Sequence, residues 1–150
     1  MDKSLINISN EVKLGLKNKK PIVALESTLI SHGLPYPENV KVAKSSINAV
    51  KNNGSIPATI GIINGKIKVG LNEDEIIFFA KNKNIHKVTM NNLALTINNK
   101  NNGATTVGST INIAARLGIK FFATGGIGGV HLNSEKTMDI SITPNRPDCL

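Results

Sequence analysis

Short apolar runs and helical spacings of apolar residues alternate along the chain, and this pattern predicts strands and helices in succession. Each run that predicts a strand is bounded by proline, glycine or polar residues. The predicted strands are residues 21–26, 57–63, 66–70, 87–90 and 119–124. Asn64-Gly65, between the second and third of these runs, is typical of a two-residue hairpin turn.

Apolar residues spaced three or four apart predict helices between these strands. The predicted starts are Ser9, Pro37, Asn72 and Gly103, and residues 27–37 are predicted to form a loop. The apolar face of the second helix is Val40, Ala43, Ile47 and Val50, and that of the last is Val107, Ile111, Ala114 and Ala115. Strands that alternate with helices predict a layered α/β domain around a buried mixed sheet.

Composition limits the classes of partner. The 150 residues, 40% hydrophobic, suit one domain, and no apolar run is long enough to predict a membrane-spanning helix. The net charge of +8 favours phosphorylated ligands. Only 3% of residues are aromatic, which makes nucleic acid an unfavoured partner and a small phosphorylated molecule the preferred one. A single cysteine, Cys149, fits a cytoplasmic protein.

Three segments carry side chains suited to chemistry. Glu26 ends the first predicted strand, where a carboxylate serves either as a general acid or as a bonding partner of nearby backbone. The segment Gly103-Ala-Thr-Thr106 lies at a predicted helix start, where N–H groups bind phosphate or threonine merely caps the helix. Thr124 to His131 contains four glycines within five residues, which favours close approach of a ligand to the backbone.

Lys87 and Asp139 are further candidates with weaker patterns. A desolvated lysine pairs with phosphate or forms a Schiff base, but a solvated lysine is the default in a chain so rich in lysine. Asp139 and His131 are eight residues apart, which is only a weak pattern for a metal site.

Together these segments resemble the pseudouridine-5′-phosphate glycosidase family. Residues 23–37 read Val-Ala-Leu-Glu-Ser-Thr-Leu-Ile-Ser-His-Gly-Leu-Pro-Tyr-Pro, and residues 103–107 read Gly-Ala-Thr-Thr-Val. Residues 122–131 read Phe-Ala-Thr-Gly-Gly-Ile-Gly-Gly-Val-His, and Asp-Ile-Ser follows at 139–141. The motifs keep the family's order and register from about Asn10 to Ser141, which makes the resemblance specific.

The resemblance implies a layered α/β/α fold around a central mixed sheet, and a cytoplasmic homotrimer. It also implies reversible cleavage of the carbon–carbon bond between uracil and ribose 5-phosphate, a reaction of nucleotide catabolism in which a lysine Schiff base opens the ribose ring. By resemblance, Glu26 is the proton donor and Asp139 the ligand of a manganese ion, Mn2+. The substrate-binding residues implied in the same way are Lys87, Val107, Thr124, His131 and Ser141.

The chain departs from the family at two places. After Lys87, the family's serine, two arginines, aspartate and Leu-Pro are replaced by Val-Thr-Met-Asn-Asn-Leu-Ala. Beyond Ser141 the match stops, and the family's nucleophilic lysine has no counterpart. We therefore expect a truncated sheet and a chain that lacks its nucleophile, which Lys120 or Lys136 would replace only if the fold happened to place one of them at the site. The expected division is a glycosidase-like domain, residues 1–141, followed by a divergent tail, residues 142–150.

The tail, which reads Ile-Thr-Pro-Asn-Arg-Pro-Asp-Cys-Leu, resembles a motif of the phenylalanyl-tRNA synthetase beta subunit. Two alternatives to an active glycosidase therefore stay open. One is a non-catalytic module that binds a sugar phosphate or nucleotide, and the other is a tRNA-linked fusion fragment. A trapped lysine imine would exclude the first, and salt-dependent RNA retention would support the second.

Overall fold

Residues 3–127 are described by a computed structural model, in which they form seven strands and five α-helices. The strands are β1 (Ile6–Ile8), β2 (Ile22–Leu25), β3 (Ile56–Ile63), β4 (Lys66–Val69), β5 (His86–Val88), β6 (Gly103–Thr105) and β7 (Phe121–Ala123). The helices are α1 (Asn10–Lys17), α2 (Glu38–Asn52), α3 (Glu73–Lys81), α4 (Leu93–Asn98) and α5 (Val107–Arg116). A 3-10 turn (Lys3–Leu5) precedes β1, and a π-helical turn (Leu29–Gly33) follows β2.

The long strand β3 organises the sheet, because different neighbours use its two halves. Its first half pairs in parallel with β2, which in turn pairs in parallel with β7. Its second half pairs antiparallel with β4 on one side and with β6 on the other, and β5 runs parallel to β6. Strands β2 and β6 thus lie end to end along the same side of β3, and their carboxyl ends meet.

Helices cover both faces of this mixed sheet, which confirms the predicted layered α/β fold. On one face, Val12 of α1 and Ile113 of α5 pack with buried strand residues such as Ile60. On the other face, Ala43 of α2 and Phe79 of α3 belong to a second buried cluster. Among the described helices, none combines the length and the apolar character needed to cross a bilayer.

The predicted helix start at Gly103 is wrong. Gly103 begins strand β6 and pairs with Ile62, and the helix begins four residues later at Val107. A Cβ at Gly103 would lie 2.3 Å from a side-chain carbon of Val88, so glycine allows β5 and β6 to pack closely.

The other elements differ less from the prediction. The predicted loop at residues 27–37 contains a π-helical turn, and β1 and α4 were not predicted. The hairpin is confirmed, with positive φ at both Asn64 and Gly65.

Glu75 holds the start of α3 in two ways. Its Oε2 accepts a hydrogen bond from the Asn72 backbone N–H at 2.9 Å, while Asn72 Oδ1 accepts one from the Glu75 N–H at 2.8 Å. Its Oε1 lies 2.7 Å from Lys68 Nζ, and both side chains are largely shielded from water. We expect Glu75→Ala to lower the free energy of unfolding by about 2 kcal/mol, measured by urea denaturation, because it removes a cap and an ion pair together.

Glu73 provides the matched control in the same turn of α3. Its hydrogen bond and charge attraction to Lys44 lower the pKa of the Glu73 carboxyl, but the group is fully exposed. Because the pKa is lowered on folding, this pair stabilises the fold above the unfolded pKa and loses that effect as pH falls through the folded one. Solvent screening makes the effect small, so Glu73→Ala is expected to leave the urea midpoint unchanged. Equal losses in both variants would contradict the role of Glu75.

Candidate functional site

The carboxyl ends of β2 and β6 are joined by hydrogen bonds at Ser27 and Thr105. The Thr105 backbone N–H donates to Ser27 Oγ at 2.9 Å, and the Ser27 N–H donates to the Thr105 carbonyl at 3.3 Å. Both residues are fully buried. This junction fixes the residues on either side of it, because neither backbone can move without breaking a buried bond.

Thr105 extends the junction into the sheet and into α5. Its hydroxyl donates to the Ile60 carbonyl at 2.7 Å and accepts from the Thr110 hydroxyl at 2.9 Å. These side chains form a satisfied polar network inside an otherwise apolar core. Such a network is rigid, since each partner that is removed leaves a buried polar atom without a bond.

Glu26 lies at this junction with one hydroxyl on each carboxylate oxygen. Leu25 and Ala123 are register partners in the parallel pair β2–β7, so the residue after Leu25 lies beside the residue after Ala123. As a result, Thr124 Oγ1 donates to Glu26 Oε1. On the other side Thr28 Oγ1 donates to Glu26 Oε2 at 2.6 Å. The partly buried carboxylate is therefore held in one orientation.

A cavity of about 270 Å3 opens beside Glu26, between the end of β2 and helix α2. Apolar side chains from α2 and from the π-helical turn form much of its wall, and among the lining residues within 3–127 Glu26 is the one titratable group. Thr124 and the hydroxyl residues Ser46 and Thr59 add polar groups. An apolar wall with a few fixed polar groups is the usual character of a site for a small molecule.

The N-terminus of α5 lies at the same junction. Thr106 is its N-cap residue, but its side chain does not cap the helix, because the hydroxyl donates to the Val88 carbonyl at 3.0 Å. Val107 is the first helical residue. The backbone N–H groups of the first turn are therefore left without a side-chain cap, and they carry the positive end of the helix dipole.

Lys87 lies on strand β5 but does not line the cavity at Glu26. It is the register partner of Ala104, which packs under α2 and α3, so Lys87 points toward that face of the sheet.

Lys120 lies at the end of the sheet opposite to Glu26, where it lines a different cavity with Lys19 and Lys20. Lys120 precedes β7 and Thr124 follows it, so the strand separates the two residues by about 13 Å and Lys120 is not placed at the site.

Four of the predicted site residues fall within the described residues. Glu26 and Thr124 are in direct contact, Val107 begins the adjoining helix, and Lys87 lies on an adjoining strand. His131, Asp139, Ser141 and Lys136 lie outside the described residues. Within residues 3–127 no three His, Cys, Asp or Glu side chains gather in a way that could hold a metal ion. Thr28 is not predicted from the sequence as a site residue, although a hydroxyl two residues after a strand-end carboxylate is a signal that indicates it.

Comparison with known proteins assigns the chain to a family. The profile of the indigoidine synthase A-like proteins matches residues 11–143. The chain belongs to this family. Among its curated relatives, a pseudouridine-5′-phosphate glycosidase from Staphylococcus aureus (strain MW2) is 54% identical over 136 residues. Another of that name, from Alkaliphilus metalliredigens (strain QYMF), is 53% identical over 131 residues. The resemblance of the chain to the pseudouridine-5′-phosphate glycosidase family is thereby confirmed.

The matches cover most of this chain but less than half of each relative. The two alignments span 91% and 87% of the chain, and 44% and 43% of the relatives. The structure of the prealnumycin C-glycosynthase AlnA in complex with ribulose 5-phosphate is similar with a TM-score of 0.77 at 42% identity, covering 94% of this chain and 45% of that one. An indigoidine synthase A-like protein from Thermotoga maritima gives 0.74 at 33% identity, with 85% and 41% covered.

Proposed function

We propose that the chain acts on pseudouridine 5′-phosphate and cleaves its carbon–carbon glycosidic bond, giving uracil and ribose 5-phosphate, with Glu26 as the proton donor. The observation that carries this proposal is the position of Glu26. Of the described residues that line the cavity it is the one titratable group, and it has a hydroxyl on each oxygen. Relatives that carry the name of this activity share more than half of their aligned residues with the chain.

The chemistry requires a general acid in this position. When the bond between uracil and the sugar breaks, its electron pair stays on a uracil carbon, which then takes up a proton. Opening of the ribose ring likewise leaves an oxygen that takes up a proton. Glu26 can supply a proton into the cavity because Thr28 and Thr124 fix its orientation. The apolar wall limits competition from water.

A sugar phosphate fits the remaining features. The uncapped first turn of α5 offers N–H groups and a positive dipole to a phosphate, with Val107 at its start. The sugar-phosphate complex of the structural relative, ribulose 5-phosphate, supports the same ligand class. We assign Thr124, Lys87, His131 and Ser141 to substrate binding on the basis of the family motifs.

We also propose Asp139 as the ligand of a manganese ion, a cytoplasmic location and a homotrimer. The proposed domain is residues 1–141, with residues 142–150 as a tail. A divalent ion bound at Asp139 would supply positive charge for the substrate oxygens. Within residues 3–127 no group of His, Cys, Asp or Glu side chains would complete the coordination of this ion.

The second candidate function is a module that binds a sugar phosphate without cleaving the bond. The cavity favours it, because none of the lining residues in the described part of the chain is a lysine and a ring-opening imine requires one. The chain spans about 44% of the length of its relatives. For the glycosidase function, the lysine that forms the imine would have to come from residues outside those described or from another chain.

Uracil release separates these functions. The purified chain is incubated with pseudouridine 5′-phosphate and manganese, and uracil is followed by chromatography. Borohydride is added in parallel with ribose 5-phosphate to trap an imine, which mass spectrometry detects as an adduct. Release together with an adduct is expected for the glycosidase. If calorimetry shows binding of ribose 5-phosphate but neither uracil nor the imine adduct is detected, the chain is the binding module. If the chain shows only salt-dependent retention of RNA, it is a tRNA-linked protein.

A further inference from the structure

The hydroxyl of Thr28 has two acceptors within reach but only one proton. Its Oγ1 lies 2.6 Å from Glu26 Oε2 and 3.1 Å from the Thr105 carbonyl oxygen. A hydroxyl donates one hydrogen bond and accepts up to two. Thr28 therefore cannot donate a full hydrogen bond to both acceptors at the same time.

Each protonation state of Glu26 satisfies this geometry in its own way. When Glu26 is ionised, Thr28 donates to the carboxylate, and the Thr105 carbonyl keeps the Ser27 N–H as its donor at 3.3 Å. When Glu26 is protonated, its own O–H donates to Thr28 Oγ1, and Thr28 donates onward to the Thr105 carbonyl. Only the hydroxyl hydrogen rotates between the two states, and no heavy atom has to move.

Thr124 is less suited to this exchange than Thr28. Its hydroxyl already accepts the Gly126 N–H at 3.2 Å, and its other acceptor, the Gly126 carbonyl at 3.1 Å, lies in an exposed turn. The carbonyl available to Thr28 belongs instead to Thr105, which is fully buried and bonded to its neighbours. Thr28, and not Thr124, therefore has a buried and fixed carbonyl oxygen to which its hydroxyl can donate when Glu26 is protonated.

We propose that Thr28 is a positioning residue that holds the transferable proton on Glu26 Oε2 and takes up the hydrogen bond again when the proton leaves. This inference rests on the proposed role of Glu26 as proton donor. In the protonated state Thr124 donates to Oε1, so the acid keeps one orientation before and after transfer. Valine in place of Thr28 preserves the shape of the side chain but neither accepts from the acid nor donates to the carboxylate.

Infrared spectroscopy of the purified chain tests this exchange without any need for activity. The difference between spectra of the wild type and of Glu26→Gln, recorded on the acid side while both remain folded, isolates the carbonyl stretch of protonated Glu26. We expect Thr28→Val to shift this band to higher frequency, because the acid loses its hydrogen-bond partner. Thr28→Ser is expected to restore the wild-type frequency, since serine retains the hydroxyl.

Thr110→Val is the matched control. Thr110 is buried and its hydroxyl donates to Thr105 Oγ1 in the same network, so its loss disturbs this network without removing a bond to Glu26. We expect the Glu26 band to stay in place in this variant. A band at the wild-type position in Thr28→Val, a band that Thr28→Ser fails to restore, or no protonated band in folded wild type would each overturn the proposal.

Kinetics then separate this inference from the proposed function. If the chain releases uracil, Thr28→Val is expected to lower kcat by about 10- to 100-fold while KM stays within about twofold, and Thr28→Ser is expected to retain most of the rate. A change confined to KM would overturn the positioning role. If no variant releases uracil, the proposed function fails, while the infrared result still decides whether Thr28 holds the proton.

Discussion

Replacing Glu26 with glutamine is expected to slow uracil release by about 10²- to 10⁴-fold, which is the usual contribution of a well-placed general acid. Glutamine has the same size, and its carbonyl oxygen still accepts a hydrogen bond from one of the two threonine hydroxyls. Its amide group faces the other hydroxyl as a donor, so the side chain stays in place, but it cannot release a proton. The rate is measured chromatographically, and thermal denaturation checks that the variant is folded.

Glu38→Gln is the matched control for this substitution. Glu38 is an exposed carboxylate at the first position of α2, paired with Lys41 at 2.7 Å, and it does not line the cavity. The same loss of one negative charge is therefore introduced on the surface, where we expect less than a twofold change in rate. A Glu26→Gln variant that keeps more than a tenth of the wild-type rate would exclude Glu26 as the proton donor.

The position of Glu26 could be predicted from the sequence because it depends on local features. A short apolar run after Pro21 predicts a buried strand, and Glu26 is the first polar residue after it. Residues at the carboxyl end of a parallel strand lie at the edge where sites form. The strand and its boundary were therefore predictable, and Ile22–Leu25 is strand β2.

The partners of Glu26 depend on pairing between distant strands, and the sequence does not encode that pairing locally. Thr124 reaches Glu26 because Leu25 and Ala123 are register partners across 98 residues of chain. A shift of one residue in this register would point Thr124 to the other face of the sheet. The family motifs placed Thr124 in the site, but its contact with the carboxylate required the structure.

The segment at Gly103 shows how a local signal can mislead. Glycine followed by small residues and threonines fits a helix start as well as a strand end. The tertiary structure decides between them, because β6 fills the space beside the second half of β3 where β2 has ended. This placement moves the helix N-terminus to Val107 and makes Thr105 the junction between the two strands.

Asn39→Asp is expected to produce the largest loss of stability, about 4 kcal/mol in the free energy of unfolding. Asn39 is 2% exposed, and its Nδ2 donates to the Ile30 carbonyl at 2.8 Å and to the Ala80 carbonyl at 3.1 Å. Its Oδ1 accepts the Val40 N–H at 2.9 Å. The side-chain amide therefore joins α2 to the π-helical turn and to α3.

Aspartate at this position places a carboxylate oxygen against two carbonyl oxygens. Both donated bonds are lost and an unpaired charge is buried, a combination that costs about 3–5 kcal/mol. Because Ile30 lines the cavity at Glu26, the site is expected to loosen before the whole fold does. Asn48→Asp, on an exposed position of the same helix, is expected to change stability by less than about 0.5 kcal/mol.

The pH dependence of the Asn39→Asp variant distinguishes a buried charge from a simple packing defect. Burial against two carbonyl oxygens raises the folded pKa of the introduced carboxyl above its unfolded value, so the unfolded state binds fewer protons between these two values. Stability relative to the wild type therefore falls as pH rises through this window and recovers as pH falls below the unfolded value. Urea denaturation at several pH values measures this difference. A loss that does not vary with pH would mean that the change in shape, and not the charge, breaks the contact between α2 and the π-helical turn.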